Sequence, residues 1–175
     1  MFPACGRLYE KGLHGVTKTV SSARTSSVSE ELLTRTFEIA GGDFSKAGHV
    51  SMEIKDILQE LGISSDLIRR TAIAAYEAEM NIVMYAARGT LRLDLSPQAL
   101  VIEVADEGPG IPDIDKAMTE GFSTATPEMR EMGFGAGMGL PNIKRNSDDF
   151  SIRSTVGRGT DLRLSFRLNK GTAEE

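Results

Sequence analysis

Glu77 and Asn81 stand four positions apart in the segment Glu77-Ala78-Glu79-Met80-Asn81. Residues at positions i and i+4 of a helix lie on the same face, so the carboxylate and the amide project together. An amide oxygen is a hard ligand that suits Mg²⁺, which needs few protein ligands because it keeps phosphates and waters. A neighbouring carboxylate can orient or deprotonate an attacking group. Taken alone, the pair is more typical of an exposed helix face with a side-chain hydrogen bond.

A second acid, Asp106, ends an apolar strand segment at residues 101–105 and precedes a glycine turn at residues 107–110. A carboxylate in this position can accept a hydrogen bond from an exocyclic amine. Gly108 and Gly110 allow a planar base to approach the backbone closely, because they carry no Cβ. The same residues also fit an ordinary turn.

Glycines are concentrated in one part of the chain. Residues 108–139 hold 7 of the 18 glycines, and Gly135, Gly137 and Gly139 alternate directly before a helical segment at Leu140. The N–H groups of such a loop, together with the positive end of the following helix, cradle phosphate. The loop is neither a Rossmann fingerprint nor a Walker A loop, since no βαβ unit surrounds it and no Gly-Lys-Ser/Thr follows.

In this order, the three segments resemble the N, G1 and G2 boxes of the GHKL ATPases, the superfamily of gyrase, Hsp-type chaperones, histidine kinases and mismatch-repair ATPases. The chain is most similar to the bacterial anti-sigma factor and switch-kinase branch, over about residues 35–168. The resemblance implies an ATP-dependent serine/threonine protein kinase with ATP and Mg²⁺ as cofactors. It also implies that Glu77 activates the acceptor hydroxyl, that Asn81 holds Mg²⁺ and that Asp106 reads the adenine amine.

The resemblance extends to residues around these boxes. Thr160 matches a threonine that supports the adenine contact through water. Residues 121–134 correspond to a lid over the triphosphate, in which Ser123 and Thr124 would touch phosphate or the acceptor protein. The expected nucleotide-binding residues are Asn81, Asp106, Gly108, Gly110, Ser123, Thr124, Gly135, Gly137, Gly139, Leu140 and Thr160.

Two further charged residues invite an interpretation. Arg130 is the only cation in the sequence between Lys116 and Lys144, which makes it a candidate contact for the γ-phosphate. A solvated surface charge is the more common role for such an arginine. Glu79 lies about 200° from Glu77 around a helix, so we expect it on the surface or facing a partner.

The composition is that of an ordinary globular chain. Its 175 residues are 40% hydrophobic and 26% charged, enough for one domain with a sizeable core. The net charge of −5 argues against direct nucleic-acid binding. No apolar run approaches the roughly 18 residues that a membrane span needs. The single cysteine, Cys5, forms no internal disulfide, and these features together favour a cytoplasmic location.

The chain divides into three parts. Residues 1–33 include a stretch rich in serine and threonine with no hydrophobic period, which predicts a mobile N-terminal arm. Residues 34–170 are predicted to form the GHKL-type ATP-binding kinase domain, and residues 171–175 a C-terminal tail.

Hydrophobic periodicity predicts the elements that position the chemistry. Ser45 is expected to cap a first helix, and a second helix from Ser64 or Ser65 carries Glu77 and Asn81. Runs of adjacent strands favour hairpins, and so an α+β, two-layer sandwich with a mostly antiparallel mixed sheet and helices on one face. This architecture agrees with the Bergerat-type ATP-binding fold that the resemblance implies. The predicted strands are 34–39, 89–95, 99–105, 150–154 and 160–168; the predicted helices are 45–61, 65–87, 115–120 and 140–146, with a loop at 121–139.

The resemblance implies a STAS-domain antagonist protein as the substrate, within a partner-switching pathway that regulates a sigma factor. A sigma factor or a phosphatase is a second class of partner, and a homodimer is compatible with the family. Two alternatives stay open: an anti-sigma factor that acts mainly by sequestering a sigma subunit, and a histidine-kinase-type catalytic ATPase module. The latter is the weaker, because histidine kinases usually carry Asn where this chain has Glu77.

Overall fold

The computed structural model describes residues 32–168. No helix among these residues is long and apolar enough to cross a membrane. The elements follow in the order β1 (Leu33–Ala40), a 3₁₀ turn (Phe44–Lys46), α1 (His49–Glu60), α2 (Ser65–Tyr85), β2 (Arg88–Leu95), β3 (Ala99–Asp106), α3 (Ile114–Ala117), α4 (Pro127–Glu131), α5 (Gly139–Asn146), β4 (Asp149–Thr155) and β5 (Gly159–Arg167).

The five strands form one sheet in the order β1-β2-β3-β5-β4. Alternate residues of the central strand β3, namely Leu100, Ile102 and Val104, are buried in the core, which is the pattern of a sheet covered on one face. The predicted α+β two-layer sandwich is confirmed. Every neighbouring pair of strands is antiparallel, so the sheet is not mixed.

The long helix α2 joins the sheet to the other helices. It contacts α1, α5 and the first three strands. Three alanines, Ala74, Ala75 and Ala78, are at most 1% exposed, and their small size allows close packing of the helix on its neighbours. The helix that carries Glu77 and Asn81 is therefore anchored in the core on several sides.

Helix α1 begins at His49, and the predicted start near Ser45 is wrong. The Ser45 hydroxyl instead donates a hydrogen bond to Asp43 Oδ1 at 2.5 Å, within the turn that follows β1. Gly48 is the N-cap residue of α1, with φ of 88°. This left-handed conformation is readily adopted by glycine, so the chain turns sharply into the helix without a capping side chain of its own.

Glu79 of α2 supplies the missing cap. Its Oε1 accepts hydrogen bonds from the N–H groups of Gly48 at 3.0 Å and Val50 at 3.1 Å, and its Oε2 accepts one from Ser51 at 3.0 Å. The side chain is only 2% exposed, so the expectation that it lies on the surface is wrong. Orphan N–H groups and the positive helix end both favour a carboxylate here, and the contact locks α1 onto α2 two residues from Glu77.

The predicted loop at 121–139 contains a short helix, α4. Thr126 precedes it, and its Oγ1 accepts a hydrogen bond from the N–H of Met129 at 3.3 Å. Pro127 occupies the first turn, where its missing N–H costs nothing. This Thr-Pro pair was the available sequence signal. We refer to residues 121–139 as the lid segment.

The predicted domain boundaries lie close to the two ends of the described range. β1 begins at Leu33, one residue before the predicted domain start. The rest of the predicted N-terminal arm, up to residue 31, and the predicted C-terminal tail lie outside the described residues, so both stay predictions.

Candidate functional site

A cavity of about 710 Å³ lies between α2, α5, the turn after β3 and the lid segment. This size is typical of a small-molecule site. The structure brings together at its walls the predicted residues Glu77, Asn81, Asp106, Gly110, Ser123, Thr124, Gly135, Gly137, Gly139, Leu140 and Thr160. Gly108 does not line the cavity. Its N–H donates a hydrogen bond to Asp106 Oδ1.

Glu77 and Asn81 face the start of α5. The side-chain amide of Asn142 donates a hydrogen bond to Glu77 Oε1 at 2.7 Å. A Cβ placed on Gly139 would lie 3.3 Å from Asn81 Oδ1 and 3.6 Å from Glu77 Oε2. Glycine at this position therefore leaves open space in front of both side chains. Asn142 holds one carboxylate oxygen of Glu77, a role that no sequence motif indicated.

Asp106 forms another part of the cavity wall. Within the described residues, the hydrogen bonds that it accepts both end on Oδ1, from the N–H groups of Gly108 at 2.8 Å and Thr160 at 3.2 Å. Oδ2 is thus left to accept a hydrogen bond from a ligand. Burial raises the pKa of the Asp106 carboxyl above its ordinary value, although the two N–H donors oppose the shift.

Ser154 connects Thr160 with the turn after β3. The two hydroxyl oxygens lie 2.8 Å apart, and Ser154 Oγ also accepts a hydrogen bond from the N–H of Ile111 at 2.8 Å. The Thr160 hydroxyl is therefore held in the same network that positions the glycine turn. Ser154 was not singled out in the sequence, because a serine in a strand carries no distinctive signal.

The glycine loop, residues 135–139, has a backbone conformation that requires glycine. Gly135 and Gly137 have φ of 78° and 73°, in the left-handed region. A Cβ on Gly137 would lie 2.4 Å from the carbonyl carbon of Gly121 and 2.7 Å from Phe122 N, so any side chain would collide with the backbone. The loop thereby packs tightly on the start of the lid segment and leads directly into α5, as in phosphate-binding loops.

Arg130 does not line the cavity. Its Nε donates a hydrogen bond to the carbonyl oxygen of Ala125 at 3.2 Å, and Nη2 donates one to that of Ser123 at 3.4 Å. The guanidinium thus holds the backbone of the lid segment together. The γ-phosphate contact considered from the sequence is not supported.

The chemistry of the donors fits Mg²⁺. Asn81 presents an amide oxygen beside the open space at Gly139, and Glu77 adds carboxylate oxygens. Within residues 32–168, no group of three His, Cys, Asp or Glu residues forms a metal cluster. One amide oxygen is sufficient for Mg²⁺ where a phosphate chain and waters complete the coordination shell.

Comparison with known proteins decides the family. A family model for the histidine kinase-like ATPase domain matches residues 42–166. The chain belongs to this family. It is 38% identical over 112 residues to serine/threonine-protein kinase RsbT of Bacillus subtilis, a match that covers 62% of this chain and 78% of RsbT. It is 32% identical over 124 residues to the anti-sigma F factor of Caldanaerobacter subterraneus, covering 71% of this chain and 79% of that relative.

A solved structure shows the same fold. The SiaB–SiaC complex from Pseudomonas aeruginosa contains a chain that matches with a TM-score of 0.52 and 14% identity, over 79% of this chain and 90% of that one. The match shows the fold alone. The family model and the relatives confirm the predicted GHKL membership in the anti-sigma and serine-kinase branch, and the predicted enzyme class of protein-serine/threonine kinase.

Substitution of Asp106 tests the assignment of the base-binding end. We expect Asp106→Asn to weaken ATP binding by about 1.5–3 kcal/mol, the scale of a hydrogen bond to a charged group. We also expect the parent to bind ATP more tightly than GTP, because a carboxylate accepts from an amine and repels a carbonyl. Calorimetric titration measures both, with Asp56→Asn on the exposed side of α1 as a control of equal charge. Equal affinity of the parent for ATP and GTP would contradict the assignment.

The raised pKa of Asp106 predicts a pH dependence of binding. The ionised carboxylate accepts from the ligand amine, and a proton on it competes for that place. ATP affinity should therefore be full above the raised pKa and should fall as the pH is lowered through it, starting at a higher pH than for an ordinary aspartate. Titrations from neutral pH down to the ordinary range of an aspartate, about pH 4, would measure this, and the Asp106→Asn profile should lack the step. Parallel profiles for parent and variant would refute the prediction.

Proposed function

We propose that this serine/threonine protein kinase transfers the γ-phosphoryl group of ATP to a hydroxyl of a STAS-domain antagonist protein. The observation that carries the proposal is the meeting of Glu77, Asn81 and Gly139 at one end of a cavity that also contains Asp106. The first three suit a metal-bound phosphate and an attacking hydroxyl. Asp106 suits a base with an exocyclic amine.

Adenine recognition rests on Asp106 Oδ2. Because Oδ1 is occupied by two backbone donors, the carboxylate is held in one orientation before ligand binds. A preorganised acceptor loses little entropy on binding. Thr160 supplies one of these backbone donors, and its hydroxyl is held by Ser154.

Glu77 is the proposed general base. Asn142 holds its Oε1, so Oε2 is the oxygen that takes the proton from the acceptor hydroxyl as the oxygen attacks the γ-phosphorus. The proton moves to the carboxylate, the new P–O bond forms, and ADP leaves with the electrons of the broken bond. Mg²⁺, held by Asn81, would supply positive charge to the phosphate oxygens.

The lid segment is proposed to exclude water from the transferring phosphoryl group. Ser123 Oγ accepts from the N–H of Ala125 at 3.1 Å, and Arg130 fastens the same stretch. The ring of Phe134 stacks on Phe44 with centroids 5.6 Å apart, which ties the lid segment to the turn before α1. Exclusion of water limits wasteful hydrolysis of ATP.

The second candidate function is sequestration of a sigma subunit. The similarity to an anti-sigma F factor favours it, and the two functions require the same nucleotide cavity. They differ in the protein that the chain holds and in whether phosphoryl transfer is its main activity.

Affinity capture separates the two functions. The full chain, immobilised with Mg·ATP, would be exposed to a lysate of the source cell, and bound proteins would be identified by mass spectrometry. The proposal predicts ATP-dependent recovery of a STAS-domain protein, reduced when Asp106→Asn is the bait. Recovery of a sigma subunit without any STAS-domain protein would favour sequestration. The proposal includes a cytoplasmic location, which the single cysteine and the lack of a long apolar run favour, and it is compatible with a homodimer.

A further inference from the structure

The charge of the cavity wall is unbalanced. Four charged side chains of the described residues line it: Glu77, Asp106, Asp113 and Lys116. Three of them are acidic, and a polyphosphate brings further negative charge. In addition to the Mg²⁺ proposed at Asn81, a positively charged side chain that faces the phosphates would offset this negative charge.

We propose that Lys116 binds the phosphate chain of the nucleotide, an assignment that rests on the proposed function. Lys116 is an exposed residue of α3 at the rim of the cavity. Among the described residues that line the cavity, it is the only Lys or Arg. Lysine is a compact, strongly hydrated point charge that commonly binds phosphate.

The Lys116 ammonium is positioned by an aromatic ring and not by a carboxylate. Its Nζ lies 4.9 Å from the centroid of the Phe122 ring, within the range of a cation–π interaction. No carboxylate in residues 32–168 forms an ion pair with it. The ring face orients the ammonium and uses none of its N–H donors in a hydrogen bond, so these donors are available to phosphate oxygens.

Phe122 connects this ammonium with the glycine loop. A Cβ on Gly137 would lie 2.7 Å from both the N and the O atom of Phe122. The neighbouring N–H of Gly121 donates a hydrogen bond to the carbonyl oxygen of Gly137 at 2.9 Å. The residue that holds Lys116 therefore packs directly on the loop assigned to phosphate.

The other positively charged side chains near the cavity either bind other groups of the protein or do not line the cavity. Arg130 donates to the carbonyl oxygens of Ala125 and Ser123. Arg145 pairs with Glu120. Lys144 lies in the last turn of α5 and does not line the cavity. Among the cations of residues 32–168 that lie near the cavity, Lys116 is thus the one left for the ligand.

Calorimetric titration of the full chain with Mg·ATP, Mg·ADP and adenosine tests the assignment. Lys116→Gln should weaken ATP and ADP binding about tenfold or more, the loss expected for a charge-assisted hydrogen bond. Adenosine carries no phosphate, so its affinity should stay within about twofold of the parent's. Lys116→Arg should recover most of the affinity. Lys144→Gln, which removes the same charge outside the cavity, should bind all three ligands like the parent.

Each other outcome overturns the assignment. Unchanged ATP and ADP affinity in Lys116→Gln would show that the ammonium does not contact phosphate. An equal loss for adenosine would show that the substitution acts through the shape of the site, and thermal unfolding of each variant would reveal loss of fold. If the parent itself does not bind ATP, the proposed function fails together with this inference. If the parent binds ATP and Lys116→Gln binds it equally, only this inference fails.

Discussion

Glu77→Ala is expected to slow phosphoryl transfer by about 10²- to 10⁴-fold, the range of a general base, with Mg·ATP affinity near that of the parent. The carboxylate is placed for the acceptor hydroxyl, while Asp106 and the glycine loop hold the nucleotide. Initial rates of transfer to a STAS-domain substrate, together with calorimetric affinity for Mg·ATP, measure the two effects separately. Transfer at the parent rate would remove Glu77 from its proposed role.

Two variants serve as controls for Glu77. Glu77→Gln retains an oxygen that can accept from Asn142, so the side chain keeps its position but loses its basicity; it should be as slow as Glu77→Ala. Asn81→Ala should instead reduce the Mg²⁺-dependent part of ATP binding, because the metal loses its proposed protein ligand. The two residues lie one helical turn apart, so a shared structural defect would affect both measurements alike and would argue against separate roles.

The largest effect on stability is expected from Glu79→Ala. The substitution leaves the N–H groups of Gly48, Val50 and Ser51 without their acceptor at a buried helix start. We expect the free energy of unfolding to fall by about 3–5 kcal/mol, since one unsatisfied buried donor already costs about 1–3 kcal/mol. Denaturant titration of the full chain measures the loss.

Glu53→Ala on the exposed side of α1 is the matched control for Glu79→Ala. It should change the free energy of unfolding by less than about 0.5 kcal/mol. Glu79→Gln retains an oxygen for the donors of Gly48 and Val50 and places an amide against Ser51, so its loss should be intermediate. A loss below about 1 kcal/mol in Glu79→Ala would mean that water replaces the carboxylate without cost.

The parts of the fold that the sequence predicts are those with local signals. The alternation of apolar residues in β2 and the helical periodicity of α2 are patterns among neighbouring residues, and so are the three boxes. The structure has β2 and α2 close to their predicted positions. Glu77 and Asn81 could be paired because four residues in a helix determine a common face. The closeness of Asp106 and Thr160, 54 residues apart, was expected only through the family resemblance.

The errors concern contacts between distant segments. Helical periodicity places Glu79 on the face away from Glu77, which predicts a surface position. The N–H groups that donate hydrogen bonds to its carboxylate lie 28–31 residues earlier in the chain. No local pattern reveals that α1 lacks a cap of its own. In the sequence, Arg130 stands out as a candidate phosphate ligand and Lys116 does not. Only the folded lid segment shows that the first binds backbone carbonyls and the second lines the cavity.

The measurement that tests the kinase proposal most directly is phosphoryl transfer in a purified system. The full chain, a STAS-domain protein from the same cell and Mg·ATP would be incubated, and the STAS-domain protein analysed by intact mass and phosphopeptide mapping. We predict one added phosphoryl group on a serine or threonine, dependent on Mg²⁺ and lost with Glu77→Gln. Absence of transfer to every STAS-domain protein of the cell, together with tight binding of a sigma subunit, would contradict the proposal and establish sequestration as the function.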